Sequence, residues 1–177
     1  MSAVHETLEA PLDRDELARR WRMLCADPSF AEIAGKVELT EWGEILIMSP
    51  VGKVHALLAT HLARMLEDAL GGRTMVEVGV ATGIGVRAPD VAWCSDAFLA
   101  AHPEDAPLGG APELCVEIAS PSDALPKLRE KAAAYVAAGA TESWLVLPQS
   151  QLIEIYGREG RRAATSFAID PASLFSQ

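Results

Sequence analysis

The stretch Leu114-Cys-Val-Glu-Ile-Ala119 constrains the chain more than any other, because it is a continuous apolar run broken only by Glu117. A strand with one face in water alternates apolar and polar residues, whereas a strand covered on both faces reads as an unbroken apolar segment. The run therefore belongs inside a sheet. Ser120-Pro-Ser-Asp123 offers an N-cap directly after it, and Pro126 falls in the first helical turn, where its missing N–H is tolerated. The helix then extends to about Ala138 and stops at Gly139, and Ser143 to Leu147 follows as another apolar strand. A crossover helix returning the chain to one more strand, after several shorter strands, predicts an α/β (α+β) chain with a mixed central β-sheet flanked by helices.

The remaining segments supply the rest of that architecture. Asp13-Arg-Asp-Glu16 reads as a capping box, with the Asp13 side chain accepting free amides and Glu16 reaching back. The helix it opens buries Leu17, Trp21 and Leu24 and stops before Pro28; residues 32–35 form a loop or short turn. Val37 to Glu41 and Glu44 to Met48 flank Trp42-Gly43 as a hairpin. Ser49-Pro50 introduces an amphipathic helix whose stripe is Val54, Leu57, Leu58, His61, Leu62, Met65, Leu66 and Ala69, and Gly71-Gly72 ends it. His61, on that stripe, reads as a core histidine. Thr74 to Val80 and Pro89 to Cys94 are strand-like, joined by a turn around Gly83 and Gly85. Residues 95–112 read as a surface loop with one helical turn near Phe98, and Gln151 to Tyr156 with Arg162 to Phe167 as a terminal hairpin.

A chain of 177 residues, 50% of them hydrophobic, has material for one sizeable core, so residues 13–177 are expected to form a single domain behind a flexible leader, residues 1–12. The formal net charge of -10 is opposite to the basic footprint of tight non-specific duplex binding. Any nucleic-acid role must use a local basic groove, a metal that cancels carboxylate charge, or a partner. Cys25, Cys94 and Cys115 are odd in number and lack metal-knuckle spacing, which fits a reducing, cytoplasmic setting. No apolar run approaches the ~20 residues of a membrane span, and no signal-peptide core is visible, so no membrane partner is expected.

Asp90, after Pro89, and Glu117 sit on two strand-like segments close enough in sequence to be neighbours in the sheet. Together they offer two hard oxygen donors of the kind Mg²⁺ needs. A buried ionised carboxylate costs several kcal/mol, of order ~3 or more, unless paired or metal-bound, so Glu117 is a stronger functional signal than a surface acid. An internal salt bridge from Glu117 to Lys131 or Arg87 would satisfy the same pattern. Lys131 flanks the core stripe of the third helix, Leu128, Ala132, Tyr135 and Val136; it can hold an attacking water or offset charge on a phosphate, or sit on a solvated helix face. Glu38 and Glu77, the latter on the strand before Asp90, are further possible ligands. His55 could bind phosphate or a carboxylate, or cap its helix, and the Tyr135 hydroxyl could be directed to the site.

Four stretches carry a resemblance to a known family: Val37-Glu-Leu-Thr-Glu-Trp-Gly-Glu-Ile with Met48-Ser-Pro and His55; Ala88-Pro-Asp-Val-Ala; Val116-Glu-Ile-Ala-Ser-Pro-Ser-Asp123; and Lys131 through Tyr135, Gly139, Glu142, Trp144-Leu-Val and Pro148. Running in family order across residues 37–148, they resemble the Uma2 (DUF820) family of the PD-(D/E)XK nuclease superfamily. The resemblance implies a restriction-endonuclease-like core with an N-terminal helix and hairpin. It also implies a site in which Asp90 and Glu117 bind Mg²⁺ or Mn²⁺ for phosphodiester hydrolysis in DNA, Glu77 being a possible third ligand. The usual motif lysine, two residues after the acid, is here Ala119, so the resemblance gives its role to Lys131. A homodimer is a further expectation. Lys127 and Leu147 stand where the family usually has acids, which keeps open a second reading: a catalytically degenerate binding or dimerisation module on the same fold. A glycosidase-type carboxylate pair is a third, but it calls for an aromatic-lined cleft, and aromatics are only 6% of the chain.

Overall fold

The computed structural model describes residues 10–32, 35–103 and 106–176. Most of the expected leader, residues 1–9, and part of the expected loop, residues 33–34, lie outside the described residues. In chain order the elements are α1 (Arg14–Ala26), β1 (Val37–Thr40), β2 (Ile45–Ile47), α2 (Lys53–Leu70), β3 (Arg73–Met75), β4 (Val80–Thr82) and β5 (Gly85–Arg87). They continue with β6 (Val91–Cys94), α3 (Asp96–Ala101), β7 (Leu114–Ile118), α4 (Leu125–Ala137), β8 (Glu142–Leu147), β9 (Leu152–Gly157) and β10 (Gly160–Arg162), with short 3₁₀ turns at Pro28–Glu32 and Pro171–Phe175.

The strands form a six-stranded sheet, in the order β10-β9-β8-β7-β6-β3, and a separate four-stranded sheet, β2-β1-β5-β4. In the larger sheet β7 and β8 are parallel while the other pairs are antiparallel, so it is mixed as the crossover pattern predicts. The parallel pair is the one joined through α4, since parallel neighbours cannot be linked by a hairpin.

Side-chain alternation on β7 explains its apolar run. Leu114, Val116 and Ile118 meet Leu62 and Leu66 of α2, together with Val91, Trp93, Trp144 and Val146. Cys115 points to the other face, where Tyr135 and Ala138 from the region of α4 pack with Val80 and Leu108. Glu117, two residues on, shares that second face. Burial of each large aliphatic in the first cluster contributes about 1.5–3 kcal/mol. The smaller sheet has its own cover: Leu17 and Trp21 of α1 rest on Leu39 and Val86.

Several local expectations are corrected. The strand expected over Thr74 to Val80 is split between the two sheets, because residues 76–79 break from extended geometry and Glu77 takes φ +52°. Gly85, expected in a turn, begins β5; its φ is +114°, and a Cβ there would come within 2.1 Å of the Leu39 carbonyl oxygen, so only glycine lets β5 lie against β1. Asp13 caps α1 through the Glu16 amide at 2.8 Å, but the Glu16 carboxylate turns to Arg19 and Arg20 instead of reaching back. The Ser120-Pro-Ser-Asp123 segment closes on itself, Ser120 N–H donating to Asp123, so α4 starts at Leu125 without a side-chain cap. On α2, Leu62 and Leu66 are buried, yet Val54 and Leu57 are 65% and 60% exposed. Helical periodicity marks a face; it does not say how far the covering sheet extends. His61 is half-buried beside Arg64, Met65 and Asp68, outside the core. The terminal hairpin ends at Arg162, because the chain beyond it is captured by Glu142.

Candidate active site

Register brings the two central acids together. β6 and β7 pair with Val91 opposite Val116 and Ala92 opposite Cys115, so one step further along the antiparallel ladder sets Asp90 beside Glu117. The Ile118 N–H donates to Asp90 Oδ2 at 2.7 Å, tying the first acid to the second strand. Both line a cavity of about 690 Å³ with Lys36, His55, Lys131 and the Ser120–Asp123 turn.

Each acid has a particular set of partners. Asp90 takes the Lys36 ammonium on Oδ1 at 2.6 Å and His55 Nε2 on Oδ2 at 3.0 Å. Glu117 takes Lys131 Nζ at 2.8 Å and the Tyr135 hydroxyl at 2.7 Å, both on Oε1, and its Oε2 lies 3.8 Å from Lys36 Nζ. Lys131 and Tyr135 reach the same oxygen because residues four apart on α4 share a face. The Lys36 ammonium thus sits between the two carboxylates as the cation on which they converge.

Glu38 forms a layer behind them. Continuing the β1–β5 register places it opposite Arg87, and its Oε2 receives Arg87 at 3.3 Å. Its Oε1 accepts from Lys131 at 2.7 Å and from the Ala88 N–H at 3.0 Å. With both oxygens engaged, Glu38 positions Lys131. Three buried acids, Glu38, Asp90 and Glu117, are matched by Lys36, Lys131 and Arg87, which is how so many charges are accommodated out of water.

The acids are electrostatically unlike. Burial would raise the Asp90 carboxyl, but the His55 hydrogen bond, the Lys36 charge and the Ile118 amide outweigh it and hold it well below the usual carboxylate range. At Glu117 burial prevails over Lys131 and Lys36 and pushes the carboxyl up. His55 is raised by its hydrogen bond to Asp90. Lys36 is raised because attraction to Glu117 and Asp90 overcomes the cost of its burial.

Of the residues singled out in the sequence, Asp90, Glu117, Lys131, Glu38, His55 and Tyr135 meet in one bonded cluster. Glu77 does not join it: it lies on no strand, its N–H holds the Pro89 carbonyl at 3.1 Å, and its exposed side chain lines the cavity wall. The internal salt bridge expected of Glu117 is present, to Lys131, while Arg87 goes to Glu38. Lys36 was not legible as a site residue. The available signal was its place two residues before Glu38, which in an extended segment puts both on one face. Among the described residues no three His, Cys, Asp or Glu side chains form a group suited to a metal. The oxygen donors gathered here are the Asp90 and Glu117 pair.

The architecture is that of a nuclease-fold α+β protein. It is similar to a crystal structure from Anabaena variabilis ATCC 29413 described as "a putative nuclease belonging to DUF820", with a TM-score of 0.66 and 18% identity over 83% of this chain and 95% of that one. The Uma2 model, described as "Putative restriction endonuclease", matches residues 28–174, and the chain belongs to the Uma2 family, a nuclease assignment at family level. No curated protein matches it. Among the described residues no helix is long and apolar enough to cross a membrane.

Proposed function

We propose that the protein is a divalent-metal-dependent endonuclease that hydrolyses phosphodiester bonds in DNA, with Asp90 and Glu117 as ligands for Mg²⁺ or Mn²⁺. The observation that carries this reading is the convergence of Asp90 Oδ1 and Glu117 Oε2 on a single cation, the Lys36 ammonium, at the wall of an open cavity. The donor set fits the group: two hard carboxylate oxygens, one strongly ionised, already gathered around positive charge. A bound divalent ion supplies Lewis acidity toward phosphate and lowers the pKa of water.

The protein's own residues do the rest. His55 and the Ile118 amide fix Asp90, and Tyr135 fixes Glu117. Lys131, held by Glu38 and Glu117 and lining the cavity, presents an ammonium to the negative charge that develops on a phosphoryl oxygen. The first turn of α2 borders the same cavity without a side-chain cap or an acid, so its free amides favour a phosphate there. Binding of DNA is therefore local, through Lys131 and the amides at the start of α2, on an otherwise acidic molecule.

A second copy of the chain is the other partner proposed. β2 is an edge strand with Ile45, Leu46 and Ile47 all exposed, and an apolar edge without a guarding charge pairs readily with another strand.

The second reading, a degenerate binding module, is favoured by Lys127, exposed on α4, and Leu147, at the end of β8. Incubation of plasmid, single-stranded and branched DNA with Mg²⁺ or Mn²⁺, beside calorimetric titration of each metal, separates the two. Cleavage abolished by Asp90→Asn is the expected outcome. Metal binding without cleavage of any substrate selects the degenerate module, and absence of metal binding rejects the metal site.

A further inference from the structure

Lys36 is the buried cation of this cavity that the proposed chemistry leaves without a task. Its side chain is 10% exposed, and its ammonium bridges Asp90 at 2.6 Å and Glu117 at 3.8 Å. Its backbone is pinned: the Lys36 carbonyl accepts from Met48 N–H at 2.9 Å. Gly35 before it has φ +128°, and a Cβ there would meet the Met48 carbonyl oxygen at 2.1 Å. Only the four-carbon stem is left to move.

Two buried carboxylates this close repel each other unless a cation stands between them. Lys36 fills that place. A dication held by Asp90 and Glu117 would be repelled by the Lys36 ammonium, on which Asp90 Oδ1 and Glu117 Oε2 converge, whereas Lys131 sits on the other Glu117 oxygen and is also held by Glu38.

We propose that Lys36 is a resident counter-ion of the carboxylate pair, which stabilises the two buried acids, competes with the divalent metal for them, and swings into the cavity when the metal binds. Resting on the reading of Asp90 and Glu117 as metal ligands, this assigns the site a built-in gate. Lys36 is then a positioning residue whose displaced ammonium faces the space a phosphate would occupy. The gate also sets a metal threshold: Lys36 neutralises the pair until the ion is concentrated enough to displace it.

Calorimetric titration of Mn²⁺ into the full chain, its Lys36→Gln variant and its Asp90→Asn variant tests the competition. Lys36→Gln is expected to bind Mn²⁺ roughly tenfold more tightly than the parent, since one competing charge is gone. Equal or weaker binding by Lys36→Gln, with Asp90→Asn still abolishing it, overturns the gate and leaves the metal site standing. Binding unaffected by Asp90→Asn overturns the metal site itself, and the gate with it. Should Lys36→Gln not fold, reductive methylation of the parent chain read by mass spectrometry decides. Lys36 is expected to be protected without metal and labelled several-fold faster with saturating Mn²⁺, and protection unchanged by Mn²⁺ overturns the gate.

Discussion

Glu38 holds two cations and a backbone amide with one carboxylate, whereas Tyr135 makes one hydrogen bond to Glu117. Breaking a buried ion pair from one side costs more than removing a single hydrogen bond to a charge. Glu38→Gln is therefore expected to lower unfolding free energy by about 3 kcal/mol, and Tyr135→Phe by about 2 kcal/mol. Urea denaturation measures both, and an unchanged midpoint for Glu38→Gln would remove its positioning role. At this scale the sequence was informative where a polar residue violated its surroundings: Glu117 inside an apolar strand announced itself. Lys36 did not, because a lysine before an exposed-looking hairpin is ordinary until the fold covers it.

Among elements, β8 and the segment after β10 are joined through Glu142. This fully buried carboxylate accepts from Trp144 Nε1, Arg162, Thr165 Oγ1 and both the N–H and hydroxyl of Ser166. These bonds hold Phe167 where its ring meets Trp93 edge-on, with centroids 5.6 Å apart. Burial works to raise the Glu142 carboxyl, but the bonds from Trp144, Ser166 and Thr165 win and lower it. A carboxyl lowered in the folded state contributes stability that is complete above the unfolded pKa of about 4.3 and lost as pH falls through the folded value. The stability gap between the parent and Glu142→Gln, from denaturation at stepped pH, should be constant above about pH 5 and close progressively below about pH 4. A gap that widens on acidification would contradict this. Helix and strand types were readable from periodicity, but the limits of the terminal hairpin were not, since Glu142 lies some twenty residues from the chain it captures.

For the whole molecule, the net charge of -10 opposes DNA binding, and only a few cationic groups, Lys36, His55 and Lys131, line the cavity among its acids. DNA held only by these few groups, against an acidic surface, is expected to bind weakly, with affinity falling as salt rises; affinity insensitive to salt, by fluorescence anisotropy, would exclude phosphate contact as its source. The exposed Ile45-Leu46-Ile47 edge predicts a dimer by sedimentation velocity and a shift toward monomer in Ile47→Lys, and a monomeric parent would leave that edge unexplained as an interface.

The sequence by itself determined the crossover unit around α4, the mixed sheet it requires, and the buried position of Glu117. Those features are written in local patterns: an apolar run, a helix-stopping glycine, and an acid where burial penalises it. The tertiary structure decided what depends on contacts across distant segments. It separated β4 and β5 into a second sheet, took Glu77 off any strand, committed Glu38 to Lys131 and Arg87, and brought Lys36 between Asp90 and Glu117. Local spacing can put a charge on a face, but only the folded chain determines which opposite charge that face meets.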